Sequence, residues 1–318
     1  MTDIAIAERA LGTSGLTTPP LVLGGNVFGW TVDREEGFTI LDAFIGGGGR
    51  MIDTADVYST WVPGNQGGES EAAIGAWLAR RGRRDDLLIA TKVGMEIGGE
   101  KGLSADRIAD CAEASLRRLG TDYIDLYYAH ADDESTPLEE TLEAFDKLVK
   151  AGKVRAIGAS NYSAARLNEA LDISEANGWT SYSVLQPEYN LLERDSFEGD
   201  LQNVCVSRNV AALPYYALAS GFLTGKYRSD EDLAGKARGG SVEKYLNDRG
   251  KNLLSVMDEI AAETGSSLTQ IALAWLASQP GVAAPIASAT SPSQVEELLG
   301  AMRLELSESQ LSRLKAAG

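Results

Sequence analysis

The stretch LLIATKVGMEIGGEKGLSADRIADCAEASLRRLGTDYIDLYYAH, residues 87–130, decides the fold of this 318-residue chain. Two short apolar runs, Leu87–Thr91 and Tyr123–Tyr128, flank a segment whose apolar residues recur every three or four positions. That segment begins at Ser104, a common N-cap residue type, and ends at Gly120, so it predicts an amphipathic helix. The stretch therefore predicts a strand–helix–strand unit whose parallel strands are buried on both faces.

The same alternation of strand and helix continues along the whole chain. Capping boxes predict further helix starts at Thr136, Ser291 and Ser307. Strand-like runs lie at Leu21–Leu23, Arg50–Asp53, Leu87–Thr91, Tyr123–Tyr128, Val154–Ile157, Tyr182–Leu185, Val210–Pro214 and Val282–Ile286. Parallel strands joined by right-handed crossovers leave few architectures for eight such units. We therefore expect an α/β protein that forms a single-domain (β/α)₈ TIM barrel over residues 1–318, with its active site at the C-terminal ends of the strands.

Composition restricts the partners and the compartment. The net charge of −17 and the pI near 4.6 argue against nucleic acid and anionic membrane surfaces, which bind basic patches. Two cysteines, Cys111 and Cys205, are too few for a disulfide scaffold. The N-terminus lacks the apolar region of a signal peptide, and the longest apolar run, Ile271–Ala277, is too short to span a bilayer. We expect a soluble cytoplasmic monomer or small homo-oligomer that acts on a small molecule.

Polar side chains end three consecutive predicted strands. Asp53, Lys92 and His130 are spaced by one strand–helix unit each, and Tyr58 follows Asp53 closely. His130 is the only histidine of the chain. Each position alone can be incidental, but the carboxyl ends of barrel strands meet at one rim. The four side chains are therefore predicted to converge on a catalytic site. An alternative is an unrelated barrel enzyme, such as an aldolase, in which Lys92 forms a Schiff base with the substrate.

Carbonyl reduction is a reaction that this set of side chains can carry out. It needs a hydride at carbon and a proton at oxygen, and a phenol of pKa about 10 is a weak acid near neutrality. We expect Lys92 to lower the pKa of Tyr58, Asp53 to orient Lys92, and His130 to hydrogen-bond the substrate oxygen. A lone histidine and scattered cysteines offer no zinc-ligand cluster, so no metal is expected.

Six blocks of sequence resemble the aldo-keto reductases, in that family's order and from about Leu16 to the last helix. They are IDTADVY at 52–58 with GGESE at 67–71, TK at 91–92, DLYYAH at 125–130, GASN at 158–161, QPEYN at 186–190 and GFLTGK at 221–226. The resemblance implies an NAD(P)H-dependent reductase that interconverts aldehydes or ketones and alcohols. It also implies that Tyr58 is the general acid/base, that Lys92 and Asp53 adjust the pKa of Tyr58, and that His130 orients the substrate.

The resemblance further implies an extended cofactor across the strand ends, NADP(H) rather than NAD(H), without a Rossmann domain. Ser160, Asn161 and Gln186 are expected to hold the carboxamide, and Tyr215 to stack on the nicotinamide ring. The remaining residues expected to contact the cofactor are Gly24, Gly25, Asp53, Ala217, Leu218, Ser220, Gly221, Leu223, Lys226, Ser288, Thr290, Gln294 and Glu297.

The adenine end departs from the family pattern. No Lys or Arg lies between Pro285 and Ala301, although Arg is the usual partner of a 2′-phosphate. We therefore expect weak discrimination between NADP and NAD, unless Lys226 or Arg228 supplies the charge. Tyr216 also stands where a serine is common, and backbone N–H groups are expected to make those contacts instead.

Aromatic residues in the strand-end loops are candidates for a substrate pocket: Phe28, Trp30, Trp61, Tyr128 and Tyr189. Ordinary packing is the alternative for each of them. A pocket built from them favours a hydrophobic or aromatic carbonyl. A second functional hypothesis is a non-catalytic or slowly cycling NADP-binding regulatory subunit of the same fold.

Overall fold

A parallel eight-stranded sheet follows a short antiparallel hairpin in the computed structural model, which describes residues 6–235 and 239–318. Residues 1–5 and 236–238 of the predicted domain lie outside this description. The hairpin, which the sequence analysis did not predict, consists of β1 (Arg9–Ala10) and β2 (Thr17–Thr18). The sheet contains β3 (Val22–Gly24), β4 (Met51–Asp53), β5 (Leu88–Val93), β6 (Ile124–Ala129), β7 (Val154–Ser160), β8 (Tyr182–Gln186), β9 (Ala211–Ala212) and β10 (Ile286–Ala287).

Helices alternate with these strands along the described parts of the chain. They are α1 (Arg34–Gly46), α2 (Glu69–Arg81), α3 (Ala105–Leu119), α4 (Leu138–Lys150), α5 (Ala164–Asn177), α6 (Asp200–Ser207), α7 (Gly239–Val242), α8 (Asp248–Thr264), α9 (Leu268–Ala277), α10 (Pro292–Gly300) and α11 (Glu308–Ala317). None of the helices in the described ranges is long and apolar enough to cross a membrane.

Most predicted helix ends are confirmed, with two corrections. Helix α3 lies between Ser104 and Gly120 as predicted, and Ser307 forms a complete capping box at the start of α11. Ser291 caps α10 by accepting a hydrogen bond from the Gln294 backbone N–H, but its capping box is incomplete, because Gln294 Oε1 accepts from the Thr290 N–H at 2.9 Å. The capping box at Thr136 is wrong, because the Thr136 hydroxyl donates to Asp133 Oδ2 at 2.7 Å and α4 begins after Pro137.

The sheet closes on itself. Each strand from β3 to β8 pairs in parallel with the next one in the chain, and β10 returns to pair with β3. At the remaining gap, Ala212 N–H donates to the Gly281 carbonyl at 2.8 Å and Ala283 N–H donates to the Ala212 carbonyl at 2.9 Å. The residues predicted as the last strand thus make the closing hydrogen bonds, and the (β/α)₈ barrel prediction is confirmed.

Alternation along the strands separates two cores and sets the site. Outward side chains pack against the helices, as Leu23, Ile52, Ile89, Tyr127, Ile157 and Leu185 do. Inward side chains fill the barrel with Val22, Met51, Leu88, Ala90, Leu126, Tyr128, Ala156 and Val184. Because side chains on one face recur every second residue, the next inward positions are the polar residues at the strand ends. Those residues are Asp53, Lys92, His130, Ser160 and Gln186.

Candidate active site

Lys92 lies at the centre of a buried hydrogen-bonded group at the carboxyl end of the barrel. Its Nζ donates to Asp53 Oδ2 at 2.7 Å, to the Thr54 carbonyl at 2.7 Å and to Tyr58 Oη at 3.0 Å. Its side chain is fully buried, so its position is set by these three acceptors. The hydroxyl of Tyr58 in turn donates to Asp53 Oδ2 at 3.3 Å.

His130 faces the same phenol from the neighbouring strand. Its ring centroid lies 6.1 Å from that of Tyr58, at an interplanar angle of 71°. Its backbone is held on both sides, because His130 N–H donates to the Val93 carbonyl at 2.8 Å and Asn161 Nδ2 donates to the His130 carbonyl at 2.8 Å. The structure therefore brings together the four side chains that the sequence singled out.

The protonation states of the group are set by burial. Burial, and then the Asp53 carboxylate, raise the pKa of Tyr58 well above its ordinary value. The predicted lowering of this pKa by Lys92 is outweighed by burial and by the Asp53 carboxylate, whose Oδ2 accepts a hydrogen bond from Lys92 Nζ at 2.7 Å. Burial, followed by the charge of Lys92, lowers the pKa of His130 well below its ordinary value, so the imidazole is neutral near pH 7.

A cavity of about 890 Å³ opens directly above this group. Most of the predicted cofactor residues line it: Gly24, Asp53, Ser160, Asn161, Gln186, Tyr215, Ala217, Leu218, Ser220, Gly221, Lys226, Ser288, Thr290, Gln294 and Glu297. Tyr58, His130 and Trp61 line it as well. The cavity is therefore continuous from the phenol to the start of α10.

Polar side chains along the cavity hold one another in place. Gln186 Nε2 donates to Asp53 Oδ1 at 2.8 Å, and Ser160 Oγ donates to the Gln186 carbonyl at 2.8 Å. Tyr215 donates its hydroxyl to Asn161 Oδ1 at 2.8 Å. The amides expected to hold a nicotinamide carboxamide thus belong to the same network as the catalytic carboxylate.

The backbone after β9 is strained where it lines the cavity. Ser220 and Gly221, which line it, have positive φ angles of 57° and 100°, and the buried Ala219 before them has one of 47°. The backbone N–H groups of Ala219 and Gly221 donate to the carbonyls of Tyr216 and Leu218 at 2.7 and 2.8 Å, so they close the turn. At the other wall, a Cβ on Gly24 would lie 2.6 Å from Ser288 Oγ, so the glycine lets the Ser288 side chain approach the backbone. The length of the cavity and the Lys226 side chain in its lining fit an extended dinucleotide with a pyrophosphate.

Some predicted residues lie away from the cavity, and their predicted contacts are corrected. Phe28 is buried in the outer core, and Tyr128 lies inside the barrel one layer below His130. Tyr189 packs on Phe197 and Trp275, with ring centroids 4.8 and 5.6 Å away.

Three further predicted residues support the cavity rather than line it. Trp30 packs edge-on against Trp61, with ring centroids 5.6 Å apart. The buried Leu223 belongs to the outer core. A Cβ on Gly25 would lie 2.9 Å from the Asp53 carbonyl oxygen. The backbone of Gly25 therefore lies close to the backbone of Asp53, and not to the cofactor as predicted.

Other residues that line the cavity escaped the sequence analysis, notably Val27, Thr31, Val57 and Met95, and Tyr216 was noted there only as a departure from the family pattern. Their positions in strand-end loops are the available signal, since loops carry no periodicity. Arg228, considered as a possible phosphate partner, instead donates two hydrogen bonds of 2.8 Å to Asp258. Among the described residues, no cluster of three or more acidic, histidine or cysteine side chains could hold a metal ion.

A model of the aldo/keto reductase family matches residues 20–318 of the sequence. The chain belongs to the aldo/keto reductase family. Similar proteins include a probable voltage-gated potassium channel subunit beta from Arabidopsis thaliana, 34% identical over 92% of this chain and 90% of that protein. An aldo-keto reductase of Bacillus subtilis is 31% identical over 92% and 86% of the two chains. A norsolorinic acid reductase of Emericella nidulans is 33% identical over 95% and 79%. The family generally binds nicotinamide cofactors, and the family implies oxidoreductase activity.

Proposed function

We propose that this family member is a working NADP(H)-dependent carbonyl reductase of the cytoplasm that interconverts aldehydes or ketones and alcohols. The observation that carries the proposal is the contact of Tyr58 Oη with Lys92 Nζ at 3.0 Å, at the floor of a cavity that His130 also lines. A non-catalytic relative has no need of a protonated phenol, a buried ammonium and a neutral imidazole around one point.

Proton transfer is the task of the chain's own side chains. Tyr58 holds its proton at rest and donates it to the carbonyl oxygen, and the Lys92 ammonium stabilises the phenolate left behind. Neutral His130 donates a hydrogen bond to the same oxygen and polarises the carbonyl. Asp53 keeps Lys92 charged and in place at 2.7 Å. When bound, the reduced nicotinamide supplies the hydride that the carbonyl carbon accepts.

Cofactor contacts follow from the cavity lining. Ser160, Asn161 and Gln186 would hold the carboxamide, Tyr215 would stack on the ring, and the loop at 217–221 with Lys226 would wrap the pyrophosphate. Lys226 is the one cation among the described lining residues. We therefore propose NADP(H) as the preferred form with weak discrimination, so that kcat/KM favours NADPH over NADH by less than about a thousandfold.

Replacing Tyr58 by phenylalanine tests the catalytic proposal. With NADPH and a panel of aldehydes and ketones, Tyr58→Phe should lower kcat by at least about a hundredfold, the usual contribution of a general acid. Its NADPH dissociation constant, measured by fluorescence, should stay within about threefold of the parent because the hydroxyl acts on substrate. Tyr123→Phe, in a phenol that packs against Arg84 rather than in the cavity, is the matched control. A variant that keeps most of its turnover would show that another acid acts.

A regulatory subunit of the same fold is the second candidate, favoured by the likeness to a potassium channel subunit beta. Such a protein would retain NADP(H) but turn over no aldehyde faster than the Tyr58→Phe variant does. The Schiff-base use of Lys92 predicts an adduct that borohydride traps together with substrate. We expect none, because Lys92 donates to three acceptors and is fully buried.

A further inference from the structure

Exposed apolar side chains concentrate at the mouth of the catalytic cavity. Among the described residues, the large hydrophobic side chains that are exposed are Trp61, Met95, Val206 and Tyr216. Three of them line the cavity, and Val206 on α6 does not. Apolar surface left in water is unfavourable unless a ligand covers it, so a cluster of this kind marks a binding surface.

Tyr216 is held in a backbone conformation that its residue type disfavours. Its φ is 52°, in the left-handed region that bulky residues avoid. Asn190 Nδ2 and the Ala219 N–H donate to its carbonyl at 3.0 and 2.7 Å, which locks this conformation. The ring is 52% exposed and packs edge-on against Tyr215 at 5.2 Å. Strain retained in an exposed aromatic residue beside a catalytic phenol points to a role for the ring itself.

Trp61 forms a second aromatic wall. Its ring centroid lies 6.2 Å from that of Tyr58, and its side chain is 48% exposed. The edge-on contact with Trp30, at 5.6 Å and 88°, supports it from behind. Tyr216 lines the same cavity and is close enough to Tyr58 to act on its charge, so a planar substrate that contacts both rings would lie near the hydroxyl of Tyr58.

The charged side chains that line the cavity lie away from the aromatic mouth formed by Trp61 and Tyr216. The charged side chains among the described lining residues are Asp53, Lys226 and Glu297. Asp53 is paired with Lys92, and the other two lie among the residues predicted for the pyrophosphate and adenine. Within the part of the chain that the structure describes, the aromatic mouth therefore offers no cation to a phosphorylated or carboxylated substrate, and an uncharged substrate loses the least hydration there.

We infer that Tyr216, together with Trp61, selects a neutral planar aromatic aldehyde or ketone. This inference rests on the proposed reductase function and names the substrate class of the same cavity. Tyr216 is then a specificity-determining residue, because its ring contacts the aromatic part of the substrate and takes no part in proton transfer.

Two substitutions at position 216 and a remote control test the inference. Tyr216→Asn removes the ring and keeps a residue that tolerates a left-handed backbone, whereas Tyr216→Phe keeps the ring. Val206→Asn removes an exposed apolar side chain outside the cavity. Steady-state kcat/KM is measured with NADPH and benzaldehyde, butanal and 4-carboxybenzaldehyde, and calorimetry measures binding of benzyl alcohol to each protein in the presence of NADP⁺.

The parent should prefer benzaldehyde to both other aldehydes by about tenfold or more. Tyr216→Asn should lower kcat/KM for benzaldehyde at least about fivefold more than for butanal, and so remove most of that preference, while Tyr216→Phe and Val206→Asn retain it. Equal kcat/KM for benzaldehyde and butanal in the parent, or equal losses for both in Tyr216→Asn, would overturn the inference.

The failure of the proposed function is distinguishable from that of the inference. A parent that turns over no aldehyde, yet binds benzyl alcohol more tightly than Tyr216→Asn does, refutes the reductase and supports the aromatic site. A parent that neither turns over an aldehyde nor binds the alcohol refutes both.

Discussion

Asp56 is a buried carboxyl whose ionisation should destabilise the protein at alkaline pH. It is 2% exposed, and neither carboxylate oxygen has a hydrogen-bond partner among the described residues. Burial and the Glu71 carboxylate raise its pKa to about 7, against the opposing charges of Arg118 and Arg107. The charge of Asp56 also acts on Lys92, whose pKa it raises against the effect of burial. The neutral acid is therefore the form that suits the folded protein.

The size of the effect follows from linkage. The pKa of Asp56 is higher in the folded protein than its value of about 4 in the unfolded chain. The contribution of the neutral carboxyl to the unfolding free energy is therefore fully present below about pH 4 and is lost as the pH rises through 7. At about 1.4 kcal/mol per pKa unit, ionisation costs about 4 kcal/mol at pH 8.5 and about 2 kcal/mol at pH 5.5. Asp56→Asn, which stays neutral, should therefore gain about 2 kcal/mol more at pH 8.5 than at pH 5.5.

Urea unfolding at the two pH values measures this difference directly. Any constant effect of the amide on packing cancels when the two gains in unfolding free energy are subtracted. Asp122→Asn, in an exposed position before β6, is the matched control and should give no such difference. An Asp56→Asn gain that is equal at both pH values, or smaller at pH 8.5, would refute the assignment of a neutral buried acid.

Three further predictions concern the barrel and the catalytic group. Lys92→Met should abolish turnover and lower the unfolding free energy by about 3–5 kcal/mol in urea titrations, because it leaves a buried carboxylate unpaired; a stable, active variant would contradict the ion pair. Gly158→Ala should cost about 1–3 kcal/mol in the same assay, since its Cβ would lie 2.6 Å from Tyr128 Cε1, and an unchanged unfolding midpoint would contradict that packing. The profile of kcat/KM against pH should show no inflection near pH 6.5, because the pKa of His130 is lowered, and should fall on the alkaline side, first as Lys92, whose pKa burial lowers, loses its proton and then as Tyr58 does; an inflection near pH 6.5 that His130→Gln removes would contradict the neutral imidazole.

Local sequence pattern predicted the elements near the site with small shifts in their ends. The strand predicted at Tyr123–Tyr128 is observed at Ile124–Ala129, and the strand predicted at Leu87–Thr91 is observed at Leu88–Val93. The hairpin at Arg9–Thr18 was missed because each of its strands has only two residues, too few for a periodic signal. The predicted last strand was displaced because residues 281–286 bond mainly across the closing gap.

The substrate side was harder to predict than the catalytic side. An aromatic residue near a strand end can point into the barrel, as Tyr128 does, or into the outer core, as Tyr189 does. A shift of one residue in a strand exchanges these faces, and loops such as the one before Trp61 follow no period. The sequence marked Tyr216 only as a departure from the family pattern, and its place at the cavity mouth did not follow, because its backbone conformation depends on hydrogen bonds from Asn190 and Ala219.

The sequence by itself determined the barrel and the polar group at its rim, because strand periodicity and helix caps are local and the polar strand ends must meet at one rim. Asp53, Lys92 and His130 could be read from spacing alone. Only the tertiary structure decided the protonation states and the shape of the cavity. Those properties depend on burial and on distances between residues far apart in the chain, such as Gln186 and Asp53 at 2.8 Å, and no local pattern encodes them.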